Sequence, residues 1–465
     1  MLGGEPRVML RNASSLTWIE GGKRLLFSEI KSGLHMGVVT TDEGRGEKRD
    51  VYLPVGERSM AHHAYLSPDG RWVLVVLMNG LGKLIQCRVV PFDGSGTERL
   101  VGPKDAVCTT GAWSPDGKWV YVSANAGGAF HIWRQRFPDG EPEELTAGPT
   151  EEEGIAMASD GKSFITSVGT KDSTIWVHDR KGDRQLSSEG AAFATTFSKD
   201  GTRLYYLKWS GQEGNAELWR TELASGVSER VLKGYGVEVE LTSKNYAISD
   251  DGKRVAFVNK DEKGISRLWI APTDGRSSPE RLESNATESE DSPAFLPNGD
   301  VIYRASRGGN NYLCTRKADG GAEKNVVEEP ILDFTAISPD GKWAMVGKSL
   351  GKSEEETAEL VAQPVEGGAS VPLCRTLCIG GWDLSRTHMY LSFLVGQDGK
   401  TYFMPLEKGQ ELPKVLAKGP VVGEELKGLS GVSVTGEEVE SAMTPEVYSY
   451  SRKSTRRNLY RIPVP

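Results

Sequence analysis

The sequence predicts an all-β fold built from repeated four-stranded antiparallel sheets. Three observations support this prediction: a turn motif that recurs along almost the whole chain, a strand pattern after each turn, and the lack of a convincing amphipathic helix pattern. The 465 residues are 38% hydrophobic and include 55 glycines. This composition provides enough apolar material for a packed core and enough glycine for many tight turns.

The recurring turn is the tetrapeptide Ser-Pro-Asp-Gly, which occurs in full three times and in four weaker copies that keep the glycine. Proline presets the backbone of the first central turn position, and aspartate bonds to its own backbone. Glycine then adopts the positive φ that closes a hairpin, so we predict a positive φ at the last residue of each copy. These residues are Gly70, Gly117, Gly161, Gly201, Gly252, Gly299 and Gly341.

The spacing of the turns predicts the architecture. A period of roughly 40–50 residues is typical of propeller blades. Each turn is followed by an apolar strand such as Trp119-Val120-Tyr121-Val122, and then by a second strand that often centres on tryptophan, as at Ile132-Trp133. Degenerate copies of the turn at residues 19–22 and 384–387 raise the seven units to nine, and a partial tenth unit ends the chain.

We therefore predict a β-propeller of four-stranded antiparallel blades, with about nine to ten repeat units in one array over residues 1–465. Propellers typically have about 4–8 blades, so a second arrangement stays open. In that alternative, residues 1–148 are a partial propeller of three blades from a second ring, and residues 149–465 are a seven-bladed propeller. In the single ring, residues 7–10 would add a strand to the last unit.

Charge and hydropathy exclude several classes of partner. The net charge is −8 at pH 7 and the pI is near 5.6, which disfavours binding to nucleic acid. The sequence shows neither an apolar run of about 18 residues nor a signal peptide. We therefore expect no membrane span in this chain and, by default, a cytoplasmic location. The oligomeric state stays open.

The repeat resembles the TolB-like branch of the WD-type propellers, whose blades carry the same Ser-Pro-Asp-Gly turn. From Trp113 to Gly154, and again at residues 457–463, the chain also resembles the propeller region attached to bacterial serine/threonine protein kinases, notably from acidobacteria. This resemblance implies a sensing or interaction module, extracytoplasmic if the chain is part of a membrane-spanning kinase. Kinase activity is not implied, because the chain lacks the His-Arg-Asp and Asp-Phe-Gly motifs.

The predicted function is binding without catalysis: a non-enzymatic propeller whose loops, set on a rigid scaffold, hold a protein or peptide partner. The alternative is a C-terminal regulatory or sensor fragment of a bacterial serine/threonine protein kinase. A third class, the accessory propeller of a prolyl-oligopeptidase-type hydrolase, is disfavoured because the chain has no Gly-x-Ser-x-Gly elbow.

Candidate partner-binding residues come from polar and aromatic positions near the predicted loops. The pair His62-His63 precedes a predicted first strand and could face a central channel, whereas the run from Glu151 to Glu153 is placed in a connection between blades. A cluster of basic residues from Arg452 to Arg457 is placed in a hairpin loop. The complete candidate set is His62, His63, His131, Glu151, Glu152, Glu153, Arg307 and Trp382.

No metal site or cofactor is predicted. The six histidines and five cysteines show no spacing typical of a zinc site. Cys374 and Cys378 are close enough to suggest a metal or disulfide, but scattered cysteines are most often buried thiols. We therefore predict unbonded, buried thiols for this chain.

Overall fold

A computed structural model describes most of the chain, and its compact parts form two units. Unit 1 comprises Met1–Thr170, Gly351–Thr357 and Thr455–Pro465, and unit 2 comprises Lys171–Leu350 and Ala358–Ser454. The described residues are 9–10, 12–31, 35–44, 46–55, 59–79, 84–126, 129–187, 191–209, 215–239, 244–282, 288–318, 320–349, 358–375, 378–393, 400–421, 423–435 and 439–464.

Unit 1 begins with two repeats that share one sheet. The strands are β1 (Ala13–Ile19), β2 (Arg24–Ile30), β3 (Met36–Asp42), β4 (Arg49–Tyr52), β5 (Met60–Leu66), β6 (Trp72–Met78), β7 (Arg88–Pro91) and β8 (Arg99–Leu100). The repeats join because β3 and β5 pair in parallel at Met36 and Met60, while every other pair in the sheet is antiparallel.

The next sheet of unit 1 contains one repeat, in the order β12-β11-β10-β9. Its strands are β9 (Val107–Trp113), β10 (Trp119–Asn125), β11 (Phe130–Arg136) and β12 (Pro142–Glu144). A further sheet contains β13 (Glu151–Met157), β14 (Ser163–Asp179) and β38 (Tyr448–Pro463). Because β14 passes residue 170 and β38 passes residue 454, each contributes one part to unit 1 and one part to unit 2.

Unit 2 continues that sheet and adds five more. The sheet that contains β13, β14 and β38 has two further strands. They are β15 (Gly182–Gln185), paired with β14, and β37 (Val439–Ser441), paired with β38. The second sheet contains β16 (Ala192–Phe197), β17 (Arg203–Trp209), β18 (Asn215–Glu222), β19 (Ser228–Arg230) and β20 (Val237–Glu238). The third contains β21 (Tyr246–Ile248), β22 (Arg254–Lys260), β23 (Ser266–Pro272) and β24 (Glu280–Arg281).

The last three sheets of unit 2 have four antiparallel strands each. They are β25 (Glu290–Phe295), β26 (Val301–Arg307), β27 (Asn310–Arg316) and β28 (Lys324–Asn325); β29 (Asp333–Ile337), β30 (Trp343–Ser349), β31 (Ala358–Pro364) and β32 (Val371–Cys374); and β33 (Cys378–Trp382), β34 (His388–Phe393), β35 (Thr401–Pro405) and β36 (Ser433–Thr435). Helical structure in the described residues is confined to the four-residue α1 (Gly423–Leu426) and to 3-10 turns at Glu20–Gly22 and Lys414–Lys418.

The fold is a multi-blade β-propeller, which confirms the predicted class. Counting the first sheet as two, the eight sheets make nine repeats in the described residues, within the predicted nine to ten. The partial tenth unit is not separate, because its two predicted strands form the single strand β38 beside β14. The strand predicted at residues 7–10 involves residues outside the described ones, and the domain boundary at residue 148 stays a prediction.

The turn between the first two strands of a repeat is held by side-chain hydrogen bonds. In the first full copy, Ser67 Oγ donates to Asp69 Oδ1 (2.6 Å) and accepts from the backbone N–H of Trp72 (2.9 Å). The backbone N–H of Gly70 donates to the Ser67 carbonyl (2.9 Å). The predicted positive φ is confirmed at all seven glycines of the motif, namely Gly70, Gly117, Gly161, Gly201, Gly252, Gly299 and Gly341.

The degenerate turn near residue 384 keeps this geometry without glycine. Arg386 stands at the glycine position with a φ of 62°. Its Nε donates to Glu411 Oε1 (2.7 Å), and Asp383 Oδ1 accepts from the Thr387 backbone N–H (2.7 Å). Because a non-glycine residue is disfavoured at positive φ, we infer that these bonds to neighbouring groups offset the local strain.

The hydrophobic core lies between neighbouring sheets. In unit 1, for example, Leu74 and Val76 of β6 pack with Val120 and Val122 of β10, and all four are buried. Strand alternation explains this arrangement, because alternate residues of a central strand face the sheets on either side. Equivalent clusters occur between sheets of unit 2.

The cysteine prediction is wrong for four of the five residues. Disulfides join Cys87 to Cys108 in unit 1 and Cys374 to Cys378 in unit 2, and Cys314 alone is a buried free thiol. Both pairs link the outer part of one repeat to the first strand of the next repeat. The connection between repeats brings their Cα atoms to 5.6 Å and 6.8 Å, a proximity that sequence spacing did not reveal.

Candidate binding cavity

The first strands of the repeats in unit 2 line a cavity of about 890 Å³. In each repeat this is the strand that leads into the turn, so the residues just before the turn face the cavity. The lining segments of these strands are residues 193–197, 246–248, 292–295, 334–337, 379–382 and 439–440. The walls mix apolar and polar side chains: the aromatic rings of Phe193, Tyr246 and Phe334 alternate with hydroxyl and charged groups such as those of Thr335 and Lys244.

One rim of the cavity is formed by the second residue of each turn motif. The first and third residues of the motif are engaged in the turn, whereas its second residue takes no part in those side-chain hydrogen bonds and faces the cavity. Lys199 and Asp250 occupy two of these positions and form an ion pair (3.6 Å). The other three rim positions are apolar: Pro297, Pro339 and Leu384.

At the opposite end of the lining strands, a partly buried carboxylate is bonded to a lysine and a tyrosine. Lys244 Nζ donates to Glu440 Oε2 (2.6 Å) and to the Thr195 carbonyl (2.7 Å). The Tyr390 hydroxyl also donates to Glu440 Oε2 (3.2 Å). Burial and the adjacent Glu440 carboxylate raise the pKa of Tyr390 well above its ordinary value, so this hydroxyl remains a proton donor.

A β-bulge explains why the Thr195 carbonyl is available to Lys244. The register of β16 on β17 shifts between Phe193 and Thr196, and Ala194 within the shift has a φ of 53°. Its carbonyl accepts from the Tyr246 hydroxyl (2.5 Å), whose pKa is raised by burial. The bulge therefore turns two consecutive carbonyls toward the next sheet.

The same end of the cavity carries further positive charge. Arg452 and Lys453 line it, on the part of β38 that belongs to unit 2. The Arg452 guanidinium lies 4.0 Å from the centre of the Trp176 ring, and its Nη2 donates to the Tyr450 hydroxyl (3.0 Å). One rim is therefore mainly apolar and the other is cationic.

Two of the predicted site residues meet in unit 1. His131 Nδ1 lies 2.9 Å from Glu152 Oε2, and the same oxygen accepts from Thr146 Oγ1 (2.7 Å). Thr150 Oγ1 donates to the other carboxylate oxygen (3.2 Å). Glu152 is buried, so these contacts satisfy a carboxylate that water does not reach.

The predicted location of the glutamate run is wrong. Glu151–Met157 is the first strand of a repeat, β13, and not a connection between blades. Strand alternation places Glu152 on one face and its two neighbours on the other. There Arg457 Nη2 lies 3.3 Å from Glu151 Oε2 and 3.4 Å from Glu153 Oε2. The basic cluster from Arg452 to Arg457 likewise lies in strand β38 and not in a hairpin loop.

The remaining predicted residues are separate from this group. His62 and His63 lie within β5, the first strand of its repeat in unit 1, and not before it, because the strand begins already at Met60, and burial lowers the pKa of His62. Arg307 ends β26 in unit 2, where it pairs with Glu323 and donates to Asn325 Oδ1 (3.2 Å). Trp382 lines the unit 2 cavity, and its Nε1 donates to the Glu411 carbonyl (2.7 Å).

The sequence reasoning missed most residues that shape the cavity, including Lys244, Tyr390 and Glu440. A usable signal was present for its walls. Phe193 and Phe334 stand five and four residues before the first residue of their turns, Ser198 and Ser338. Counting back from each turn would have identified the cavity walls. The bulge and the contacts between sheets, by contrast, could not be predicted from any pattern in the sequence.

The described residues contain neither a cluster of metal-binding side chains nor a membrane-spanning helix. Among them, no group of three or more His, Cys, Asp or Glu side chains is placed to hold a metal ion. No helix within the described ranges is both long enough and apolar enough to span a bilayer.

Comparison with known proteins gives fold-level similarity. No family model matches the chain. A stretch of 95 residues is 27% identical to the uncharacterized protein YidR of Escherichia coli strain K12, covering 20% of this chain and 22% of that protein. The match thus spans about a fifth of that curated relative's length.

Similar solved structures include two TolB proteins. TolB from Acinetobacter baumannii is 17% identical, with 66% of this chain and 80% of that chain covered and a TM-score of 0.28. The putative TolB from Agrobacterium tumefaciens is 18% identical, with 60% and 83% covered and a TM-score of 0.23. Tricorn protease is 13% identical, with 95% and 49% covered and a TM-score of 0.30. At these identities the likeness concerns the fold alone, and it includes TolB-like propellers.

Proposed function

We propose that this chain is a non-catalytic β-propeller that binds a segment of a protein or peptide in the cavity of unit 2. The observation that carries this proposal is the cavity itself, about 890 Å³ in volume and lined by the first strands of the repeats. Ligand sites of this size usually combine apolar walls with a few fixed polar groups. This lining combines apolar side chains such as Phe193 and Phe334 with a larger share of polar groups, among them the Lys244–Glu440 pair, which suits a peptide with its polar backbone.

The two rims favour a ligand with an apolar part and an acidic part. Pro297, Pro339 and Leu384 would contact apolar side chains at the turn end. Lys453 and Arg452 at the opposite end would attract a carboxylate, because their charges exceed the single negative charge of Glu440 there.

Binding is favoured over catalysis by the chemistry of the lining. Among the described lining residues there is neither histidine nor cysteine, and the hydroxyls of Tyr246 and Tyr390 are engaged with carbonyls or with Glu440. We expect the purified chain neither to transfer phosphate from ATP nor to hydrolyse a prolyl peptide. Turnover of either substrate that persists through repeated purification would contradict the proposal.

A peptide display experiment tests the binding site. Random peptides displayed on phage are selected on the purified chain, and a selected peptide is then measured against two variants. Thr335→Trp places a large ring at the cavity wall, and exposed Thr97→Trp is the matched control. We expect the first variant to weaken binding about tenfold or more, equivalent to about 1.4 kcal/mol, and the control to bind normally. Equal binding by both variants would place the ligand elsewhere.

The kinase resemblance supports an alternative proposal, in which the same propeller is the sensor region of a serine/threonine kinase. Its support is the sequence similarity from Trp113 to Gly154 and near the C-terminal strand. An in-frame kinase domain and a membrane-spanning segment upstream in the gene would favour it.

A further inference from the structure

Among the described residues, the part of β38 that belongs to unit 1 is paired along one of its two edges. Residues 455–463 lie beside β14 on one side. On the other side of β38, β37 pairs only with Tyr448, Ser449 and Tyr450. Within the described residues, therefore, no strand pairs with the second edge of residues 455–463. Backbone N–H and C=O groups along such an edge can accept another strand.

The side chains of this edge are basic and apolar. Residues 455–463 contain three arginines and no acidic residue. Leu459 is 76% exposed and Tyr460 is 51% exposed. Because successive side chains point to opposite faces, each face of the strand presents arginine together with a large apolar side chain. A strand added at this edge could therefore make both ionic and apolar contacts on either face of the sheet.

One arginine of the strand already pairs with acidic residues across the sheet. Arg457 contacts Glu151 and Glu153, which lie on β13, beyond β14. Its path crosses Gly169 of β14, where an added Cβ would come within 2.5 Å of Arg457 Cγ. The sheet thus pairs one arginine with two glutamates at alternate positions of a strand, a pattern that an acidic segment on the second edge could repeat.

We propose that the edge formed by residues 455–463 binds an extended acidic segment of a partner protein as an added β-strand. Opposite charges on neighbouring strands stabilise pairing, whereas like charges oppose it. A second copy of this edge would bring three more arginines against Arg456, Arg457 and Arg461. An acidic strand with apolar residues at alternate positions complements the edge better than a second copy does.

The probe for this proposal is a fluorescent peptide of about ten alternating glutamate and valine residues, with both ends blocked. Two comparison peptides replace glutamate by lysine or place prolines in the centre. Fluorescence anisotropy with the full chain measures affinity, and hydrogen exchange locates the protected amides. We expect the acidic peptide to bind at least about tenfold more tightly than either comparison peptide and to protect residues 455–463.

A charge-reversal variant distinguishes binding at residues 455–463 from nonspecific electrostatic attraction between the peptide and the protein. Arg456→Glu with Arg461→Glu should weaken the acidic peptide about tenfold and allow the lysine peptide to bind. The matched control is Arg71→Glu with Arg276→Glu, two exposed positions in turns with the same change in charge. The control should bind the acidic peptide as the parent chain does.

Several results would overturn the proposal. They are equal binding of acidic and basic peptides, an equal loss in the control variant, protection outside residues 455–463, or no binding below about 1 mM. Strong protection of these amides in the protein alone would show that the edge is already occupied, and self-association through this edge would show that a second copy is the occupant. Either result would also refute the proposal.

Discussion

Pro297 lies directly against Gly341, so that a Cβ built on Gly341 would come within 2.5 Å of Pro297 Cδ. The two residues belong to successive turn motifs, and a looser contact of the same kind joins Pro115 and Gly161 at 3.3 Å. The glycine therefore has two separate roles here. It permits a φ of +75°, and it leaves space for the proline of the preceding turn.

Substitution of two motif glycines by alanine separates these roles. Gly252 has a φ of +68° with nothing within 4 Å of an added Cβ, so Gly252→Ala should cost only the backbone strain, about 1 kcal/mol. Gly341→Ala should cost about 1–3 kcal/mol more, because the methyl group must displace Pro297. Urea unfolding of both variants measures the difference.

Removal of the opposing proline ring provides the control for the contact. Pro297→Ala should reduce the additional cost of Gly341→Ala and leave the cost of Gly252→Ala unchanged. If both alanine variants lose equal stability, turn-to-turn contact does not contribute.

The turn aspartates should make folding sensitive to acid. The hydroxyl of Ser198, followed by backbone and side-chain bonds from Thr202, lowers the pKa of Asp200 from 3.8 to about 2. A carboxyl group whose pKa is lowered by folding stabilises the protein above its unfolded pKa, and this contribution disappears as the pH falls through the folded pKa. The stability contributed by Asp200 should therefore be lost between about pH 4 and pH 2.

Thermal unfolding of the parent protein and of the Asp200→Asn variant across this pH range tests the direction of the pH dependence. The parent should be the more stable protein at pH 5, and the difference should shrink toward pH 2. Exposed Asp172, which belongs to no turn motif, provides the control Asp172→Asn. A difference that grows as the pH falls would contradict the assignment.

The two disulfides lead to predictions of the number of free thiols and of how much each bond contributes to the free energy of unfolding. When the protein is denatured without reduction, each chain should react with one equivalent of a thiol reagent, at Cys314. Closure of the loop between Cys87 and Cys108 should contribute about 3 kcal/mol, and closure of the shorter loop between Cys374 and Cys378 about 2 kcal/mol. Paired serine variants measure each contribution, and a count of five thiols would show that neither bond forms.

Lys244 and Glu440 should be energetically coupled. A cycle of Lys244→Met, Glu440→Gln and the double variant should give a coupling of about 0.5–1 kcal/mol, because the lysine side chain is partly exposed and solvent screens the pair. Lys244→Met alone leaves Glu440 with Tyr390 as its remaining partner among the bonds described above. Purely additive costs would show that the ion pair contributes nothing to folding.

The sequence predicted the repeated fold because its signals are local. Five of the seven glycine turns begin with a serine that is followed by an aspartate and a glycine within four residues, as at Ser114 to Gly117, where the hydrogen bonds close within the same hairpin. The number of repeats follows by counting the seven glycine turns together with the two degenerate copies. The path of β38 was not predictable in this way, because its pairing with β14 depends on residues almost 300 positions away.

The cavity was harder to predict than the fold. Trp382 was the one candidate found on its lining, whereas Lys244 and Glu440 meet only after two sheets have assembled. The pairing of His131 with Glu152 also arises between neighbouring sheets. No spacing rule within a single strand indicates such contacts, since they depend on how adjacent repeats pack.

The pairing of β14 with β38 has a consequence for synthesis on the ribosome. Arg461 Nε bonds to Ser163 Oγ across a sequence separation of 298 residues. At about 5–20 residues per second, roughly 15–60 s pass between translation of one partner and the other. During that interval β14 emerges without its C-terminal neighbour, and its exposed edge is a site where chaperones would bind nascent chains. Slowed elongation late in the message should therefore increase aggregation more than the same delay placed before residue 163.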